Sequence, residues 1–296
     1  MLSVAGLVKH YGKIQALKGV SFEVPEGSVF GILGPNGSGK TTLLSIVLGV
    51  LAADAGSYEW FGQTASPSMR KQIGSLLETP NFYHYLSAVN NLKVTQSISG
   101  RGDLADIETA LGKVNLLERK NSKFSNYSLG MKQRLAIAGA LLGDPKILVL
   151  DEPTNGLDPV GIAEIRALIL ALRDKGHTII MASHLLDEVE KVCSHVAILK
   201  SGTLVACGAV YDVMADEDVV ELSAPALPQL AALLERMPGA PQLAISDAFI
   251  TLSYPKGNAQ LDEINRYCFN NGIVLTHLTM KRKKLEEKFF ELTHTN

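Results

Sequence analysis

The octapeptide Gly34-Pro35-Asn36-Gly37-Ser38-Gly39-Lys40-Thr41 constrains this chain more than any other stretch of its 296 residues. It fits G-x-x-x-x-G-K-[ST] at every fixed position. An apolar run, Ser28 to Leu33, precedes it and a second, Thr41 to Val50, follows. The first reads as a buried strand and the second as a helix. Strand, glycine-rich turn and helix in that order make a cradle for phosphate. The glycines let backbone N–H groups turn inward around phosphate oxygens without side-chain clashes. Lys40 is expected to set its ammonium between the β- and γ-phosphates, and the Thr41 hydroxyl to ligate magnesium. The helix beginning there, with Thr42 in its first turn, points the positive end of its dipole at the same anion. A glycine-rich turn that matches by chance is the competing reading, and the flanking strand and helix weigh against it.

A second constellation belongs with the first. Ile147-Leu148-Val149-Leu150 is wholly apolar, as a strand buried on both faces of a parallel sheet is, and it ends in Asp151-Glu152-Pro153. Carboxylates there reach the C-terminal edge of the sheet, where α/β proteins bind their ligands. Asp151 is expected to hold magnesium through water. Glu152 is expected to orient the attacking water and take its proton. An Asp-Glu pair at a strand end is common by itself; coupled to the phosphate loop it becomes a Walker B site. The fold class is therefore α/β, a P-loop NTPase core of the RecA-like kind.

The remaining sequence suggests how that core is elaborated. From about residue 80 to 145, Leu86, Val89, Leu92, Ile107, Leu111, Val114, Leu117, Leu135, Ile137 and Leu141 recur at helical spacings. This reads as a helical subdomain inside a domain of residues 1–215. Ser201-Gly202, between two apolar runs, signals a tight hairpin. Asp216-Glu217-Asp218 marks a boundary, and residues 216–296 read as a small C-terminal α+β domain. Its expected order is strand 218–224, helix 228–237, strands 242–246 and 248–253, helix 259–271, strand 273–279 and a last helix, 283–293. The βαββαβ order is that of the ferredoxin-like arrangement.

Lys plus Arg total 28 against 30 Asp plus Glu, a net charge of −2, which gives no support to a nucleic-acid partner. Cys193, Cys207 and Cys268 are scattered without metal-ligand spacing and read as reduced, buried thiols. No signal peptide is evident, and no apolar run approaches the roughly 20 residues that span a bilayer. A transport role therefore needs a separate partner.

Tyr127-Ser128-Leu129-Gly130-Met131-Lys132-Gln133-Arg134 resembles the signature sequence of ABC-transporter ATPases. Gly156-Leu157-Asp158-Pro159 is similar to that family's D-loop, and His184 to its switch histidine. The order of motifs matches over roughly residues 1–215. With Glu78 in Ile73-Gly74-Ser75-Leu76-Leu77-Glu78-Thr79-Pro80, the wording looks most like the bacitracin-type exporter ATPases.

The resemblance implies an ATPase that uses ATP and Mg2+ and couples hydrolysis to transport. It implies a head-to-tail homodimer, with each ATP between one phosphate loop and the other protomer's signature. Ser128 and Gly130 would then meet the γ-phosphate across the interface, although Ser128 also suits a helix N-cap. Asp158 would organise that interface, and His184 would sense the γ-phosphate. Tyr11 would stack on adenine, a strand-end tyrosine with a packed ring being the other reading. Two departures stand out: Leu129 replaces a usual glycine, and Glu78 stands where the family places a magnesium-ligating Gln. The implied partners are a polytopic membrane permease on a separate chain and a second ATPase protomer, with no nucleic acid. The implied location is cytoplasmic, at the inner face of the cell membrane through the permease.

A non-transport ABC ATPase acting on nucleic acid or ribosomes is the alternative. It is weakened by the absence of sustained heptads in the about ninety residues before the signature, and by a single set of motifs. Lys281-Arg282-Lys283-Lys284 reads as the solvated start of an amphipathic helix, or as a contact for acidic lipid. Residues Asn81 to Tyr85 read as a permease contact or a local aromatic cluster.

Overall fold

The computed structural model describes residues 1–64, 66–77, 81–214, 217–237, 242–281 and 285–294, in two units, Met1–Val210 and Tyr211–Asn296. In the first, β1 (Leu2–Tyr11) and β2 (Ile14–Val24) pair antiparallel and turn Leu2, Val4, Leu7, Leu17, Val20 and Phe22 inward. All five residues of β3 (Val29–Leu33) are buried, and the phosphate loop joins it to α1 (Lys40–Val47). Next, β4 (Ala55–Trp60) returns to pair with β1, and β5 (Gln63–Thr64) pairs with β4. Trp60, almost fully buried, donates its indole N–H to Val47 O at 2.8 Å, fastening this sheet to the end of α1.

After α2 (Pro67–Arg70) comes β6 (Ile73–Leu76), then the helices α3 (Ala88–Ser99), α4 (Leu104–Lys113) and α5 (Leu129–Ala140). Each of these three starts at a side-chain cap that accepts from backbone N–H: Ser87, Asp103 and Ser128. The chain re-enters the core as β7 (Ile147–Asp151), α6 (Pro159–Asp174), β8 (Thr178–Ser183), α7 (Leu186–Val192), β9 (His195–Lys200) and β10 (Thr203–Ala209). The hairpin between β9 and β10 is the one expected at Ser201-Gly202, and both turn residues have positive φ. The main sheet runs β10-β9-β3-β8-β7-β6, parallel except for β9/β10. Its parallel strands point their C-terminal ends to one edge, so Gly34, Glu152 and His184 emerge side by side. A buried cluster with Phe30, Ile32, Leu43, Ile46, Trp60 and Val149 joins the two sheets and α1.

The expected strands at 28–33 and 147–150 and the helices between them are present. The β4 strand and β6 were not anticipated. They are short, polar or glycine-bearing, and their apolar alternation is weak.

Helix α8 (Val210–Met214) spans the division between the units, and the boundary expected at 215/216 falls on residues outside the described set. The second unit contains β11 (Glu217–Ser223), α9 (Leu227–Leu234), β12 (Gln242–Ile245), β13 (Ile250–Pro255), α10 (Leu261–Asn270), β14 (His277–Lys281) and α11 (Leu285–His294). The sheet order β12-β13-β11-β14, antiparallel throughout, is the ferredoxin-like arrangement with one helix added. Its own core gathers Val220, Leu222, Leu230, Ile250, Leu252 and Ile264.

Three expectations need correction here. The last strand covers 277–281, not 273–279, because Ile273 N–H bonds Cys268 O and finishes the turn after α10. Lys281 ends β14 opposite Val219, so it does not start a helix; Arg282 to Lys284 lie outside the described residues. The three cysteines are free, Cys193 and Cys268 buried as expected but Cys207 exposed. Among the described residues no helix is long and apolar enough to cross a membrane.

Candidate active site

The phosphate loop closes on itself. Ser38 N–H donates to Pro35 O, and Lys40 Nζ donates to Gly34 O at 2.7 Å and Pro35 O at 3.3 Å. Gly37 and Gly39 have positive φ. A Cβ at Gly34 would collide with the Ser38 hydroxyl and the Leu199 carbonyl, and one at Gly39 would sit 2.7 Å from Ala16 O. No side chain larger than hydrogen fits either position. Burial pulls the Lys40 pKa down, and the carboxylates of Glu152 and then Asp151 oppose that shift. The ammonium lies 3.9 Å from the Glu152 carboxylate.

At the neighbouring strand end, Thr41 Oγ1 donates to Asp151 Oδ2 at 2.8 Å, although 110 positions separate them in sequence. Glu152 follows in left-handed backbone, φ 47°, which costs of order 1–3 kcal/mol for a non-glycine residue. The conformation is held by Glu152 N–H donating to Ala182 O at 3.0 Å and by Asn155 N–H donating to Glu152 O. It turns the carboxylate to His184, whose Nδ1 lies 2.8 Å from Glu152 Oε2. Glu152 is thus shared between a cation and an imidazole at the mouth of the cradle.

A cavity of about 560 Å³ opens over these groups, lined by Tyr11, Asn36, Gly37, Gly39, Lys40, Thr41, Thr42, Asp151 and Glu152. Tyr11 is half exposed at the end of β1, free to offer a ring face. Ala16, Leu129, Gln133 and Asn155 line the same cavity and were not anticipated there. Leu129 and Gln133 belong to the signature segment and Asn155 follows the acidic pair by three positions, but only the fold brings them to this cavity.

The two proposed ligands fit what is present. Ser38 Oγ is buried with no hydrogen-bond partner among the described residues, as suits a hydroxyl meant for a phosphate oxygen. A Thr hydroxyl beside an Asp carboxylate is a hard-oxygen pair, and magnesium takes few protein ligands alongside substrate phosphates. No cluster of three His, Cys, Asp or Glu that would suit another metal occurs among the described residues.

Ser128 caps α5, accepting from Met131 N–H at 3.3 Å, and is exposed, as is Leu129. Asp158 caps α6, accepting from Gly161 N–H at 2.8 Å. Ser128, Gly130 and Asp158 line a second cavity of about 360 Å³, which shares Leu129 with the one over the phosphate cradle. The Leu129 side chain lies over Gly156, where a Cβ would come within 3.1 Å of it, so signature and D-loop pack together in one chain. Glu78 lies outside the described residues. In the segment after it, buried Asn91 accepts from Tyr83 N–H at 2.8 Å and donates to Tyr83 O and Ser87 O, while Phe82 and His84 pack on Phe124. Tyr83 and Tyr85 remain exposed.

Residues 17–155 match the protein family described as ABC transporter. The bacitracin transport ATP-binding protein BcrA of Enterococcus faecalis is 32% identical over 297 residues, 99% of this chain and 96% of that protein. The lantibiotic transport ATP-binding protein SrtF of Streptococcus pyogenes is 40% identical over 205 residues, 69% of this chain and 89% of that protein. A nucleotide-free ATP-binding cassette from an ABC transporter superposes with a TM-score of 0.65 at 27% identity, over 71% of this chain and 91% of that one. A dimeric cassette in a post-hydrolysis state bound to ADP and Pi gives 0.64 at 26%, over 71% and 99%. Fold and site together define a magnesium-dependent ATPase cassette. The chain belongs to the ATP-binding subunits of ABC transporters, which hydrolyse ATP to power a membrane permease carried on another chain.

Proposed function

We propose that this subunit works in a head-to-tail pair that drives an exporter, with Glu152 as the general base. The observation that carries the reading is the Glu152 carboxylate, 2.8 Å from His184 Nδ1 and 3.9 Å from Lys40 Nζ above the cradle. Attack on the γ-phosphorus needs a water in line with the bond to the β-phosphate oxygen. Glu152 orients that water and takes its proton as the new P–O bond forms and the old one breaks. Lys40 and the loop N–H groups of Gly37 to Thr41 receive the charge on the transferring group, already oriented and therefore needing no reorganisation. When both His184 nitrogens carry protons, one serves Glu152 and the other the γ-phosphate. Thr41 and Asp151, with Glu78 as the third residue assigned to it, would hold magnesium, which would supply electrostatic stabilisation of the phosphates. Tyr11 stacks on adenine. From the second protomer, Ser128 and Gly130 reach the γ-phosphate, and Asp158 organises the surface between them.

Export, and a place at the inner face of the cell membrane, are supported by the near full-length likeness to a protein named for bacitracin transport and by the shorter one to a protein named for lantibiotic transport. The test is Glu152→Gln. That variant keeps ATP affinity, accumulates ATP-bound dimers and loses at least ~10²-fold in turnover, the range general bases supply. Wild-type phosphate release would remove Glu152 from its role.

A further inference from the structure

The turn between α3 and α4 carries a guanidinium that the phosphate chemistry leaves unused. Arg101 follows Gly100, the left-handed cap ending α3, and is two residues before Asp103, the cap that starts α4. Its Nη1 donates to Ile73 O at 2.9 Å and to Ala140 O at 3.2 Å, and its Nη2 donates to Gly139 O at 3.2 Å. Ile73 opens β6, and Gly139 and Ala140 end α5. One planar group therefore ties a turn, a strand and a helix terminus. The two helix carbonyls lie in the last turn, where no intrahelical donor serves them and a cation is favoured by the dipole. Only arginine has the rigid fork to serve three carbonyls at once.

The surrounding backbone is built for this junction. A Cβ at Gly74 would collide with Ala140 O, so β6 and the end of α5 touch main chain to main chain. A Cβ at Gly102 would sit 2.7 Å from Gly143 N, and one at Gly143 would sit 2.8 Å from Gly102 N. The α3–α4 turn is pressed in the same way on the turn that follows α5. Arg101 is the side chain that fastens the three segments.

We propose that Arg101 is a positioning residue for the ATP site shared by two protomers. It anchors the C-terminal end of α5 on β6, so that the N-terminal end presents Ser128 and Gly130 to the other protomer's ATP at a set angle. The inference rests on the reading of Ser128 and Gly130 as contacts made across the dimer. Helix α5 has 12 residues, so it is about 18 Å long. A tilt of about 5° at the anchored end moves the signature by about 1.5 Å, and misplacement on that scale costs about 10²-fold in an aligned site. The same anchor joins the signature helix to β6.

The experiment uses the full chain with Glu152→Gln, reading ATP-dependent dimerisation by light scattering. Nucleotide affinity of the single protomer is read separately with a fluorescent ATP analogue at low protein concentration. Arg101→Met removes all three donated bonds and keeps the stem; Arg101→Lys keeps a cation without the fork. The expected result is dimerisation weakened at least about tenfold in Arg101→Met and less in Arg101→Lys, the scale of a lost hydrogen bond to a charged group. Nucleotide affinity of the protomer stays within about twofold, because no donor of Arg101 faces the phosphate cradle, whereas general loosening of the fold would lower both together. Undiminished dimerisation by folded Arg101→Met overturns the proposal, and so does a parallel fall of both quantities. Should Arg101→Met fail to fold, Arg101→Lys decides on the same two readouts. A Gly130→Glu control separates the levels. If it dimerises normally, the reading of the signature fails; if it is impaired while Arg101→Met is not, only the role of Arg101 fails.

Discussion

Asp54 sits beside no motif, yet it fixes the strand end that presents Tyr11. It accepts from Lys9 Nζ at 2.8 Å and from His10 N–H at 2.6 Å, and lies 3.2 Å from His10 Nδ1. The Lys9 bond first, and the His10 N–H next, hold its carboxyl at about 2. A depressed acid lends its support fully above its unfolded value, near 3.9, and loses it as pH falls toward about 2. The pin is therefore intact throughout the neutral range. Tyr11→Ala is expected to weaken ATP binding by about 1–3 kcal/mol, the worth of base–aromatic stacking. Asp54→Ala is expected to cause a smaller loss in the same direction, read by titration with a fluorescent nucleotide. A full loss in the first variant and none in the second would show that the pin does not act on the ring. At the other end of the cavity, Lys40→Ala removes an ammonium from the cradle and should lower ATP affinity by at least ~10²-fold. Nucleotide affinity at the wild-type level in that variant would displace the phosphates from this loop.

The helix α5 combines two demands at its N-cap. Ser128 satisfies the orphan N–H of Met131, and its exposed hydroxyl is the group assigned to a second protomer's phosphate. Ser128→Ala should cost about 1 kcal/mol as a lost cap, or roughly 2–4 °C of melting temperature in a domain of this size. Ser128→Asp separates the roles. An aspartate caps as well as serine does, so the melting temperature holds, while its charge repels phosphate and ATP-dependent dimerisation is lost. Retained dimerisation in Ser128→Asp would leave Ser128 as a cap alone. Elements of this kind were legible in the sequence because their signals are local. A buried parallel strand such as Ile147–Asp151 is an unbroken apolar run, and the phosphate loop is fixed by residue types at fixed offsets. What the sequence does not carry is partnership. Strand β4, Ala55-Gly56-Ser57-Tyr58-Glu59-Trp60, is mostly exposed and becomes a strand only by pairing with β1. The apolar Ile273-Val274-Leu275 drew the last strand four residues too early, while pairing with β11 begins at His277. The Thr41–Asp151 and Glu152–His184 contacts depend on the order β6-β7-β8-β3 in the sheet, which no local pattern encodes.

At the scale of the whole chain, the decisive fact is that two buried cores share no residue. One, around Phe30, Leu43 and Trp60, lies in Met1–Val210; the other, around Val220, Leu252 and Ile264, lies in Tyr211–Asn296. Every phosphate-site group belongs to the first. A ligand stabilises only the unit that binds it, by about 2.7 kcal/mol at a hundred times its dissociation constant. For a domain of about 200 residues that amounts to roughly 5–10 °C. Calorimetry of the Glu152→Gln chain with magnesium and saturating ATP should therefore move the transition of the nucleotide-binding unit upward by that amount. The transition of the ferredoxin-like unit should stay where it is without nucleotide. Lys40→Ala supplies the comparison, since its loss of ATP affinity should abolish the shift and leave both transitions in place. A single transition that moves as a whole would show that the two cores unfold as one cooperative body. In that case nucleotide binding is felt as stability throughout the C-terminal unit, which then cannot be removed without weakening the ATPase.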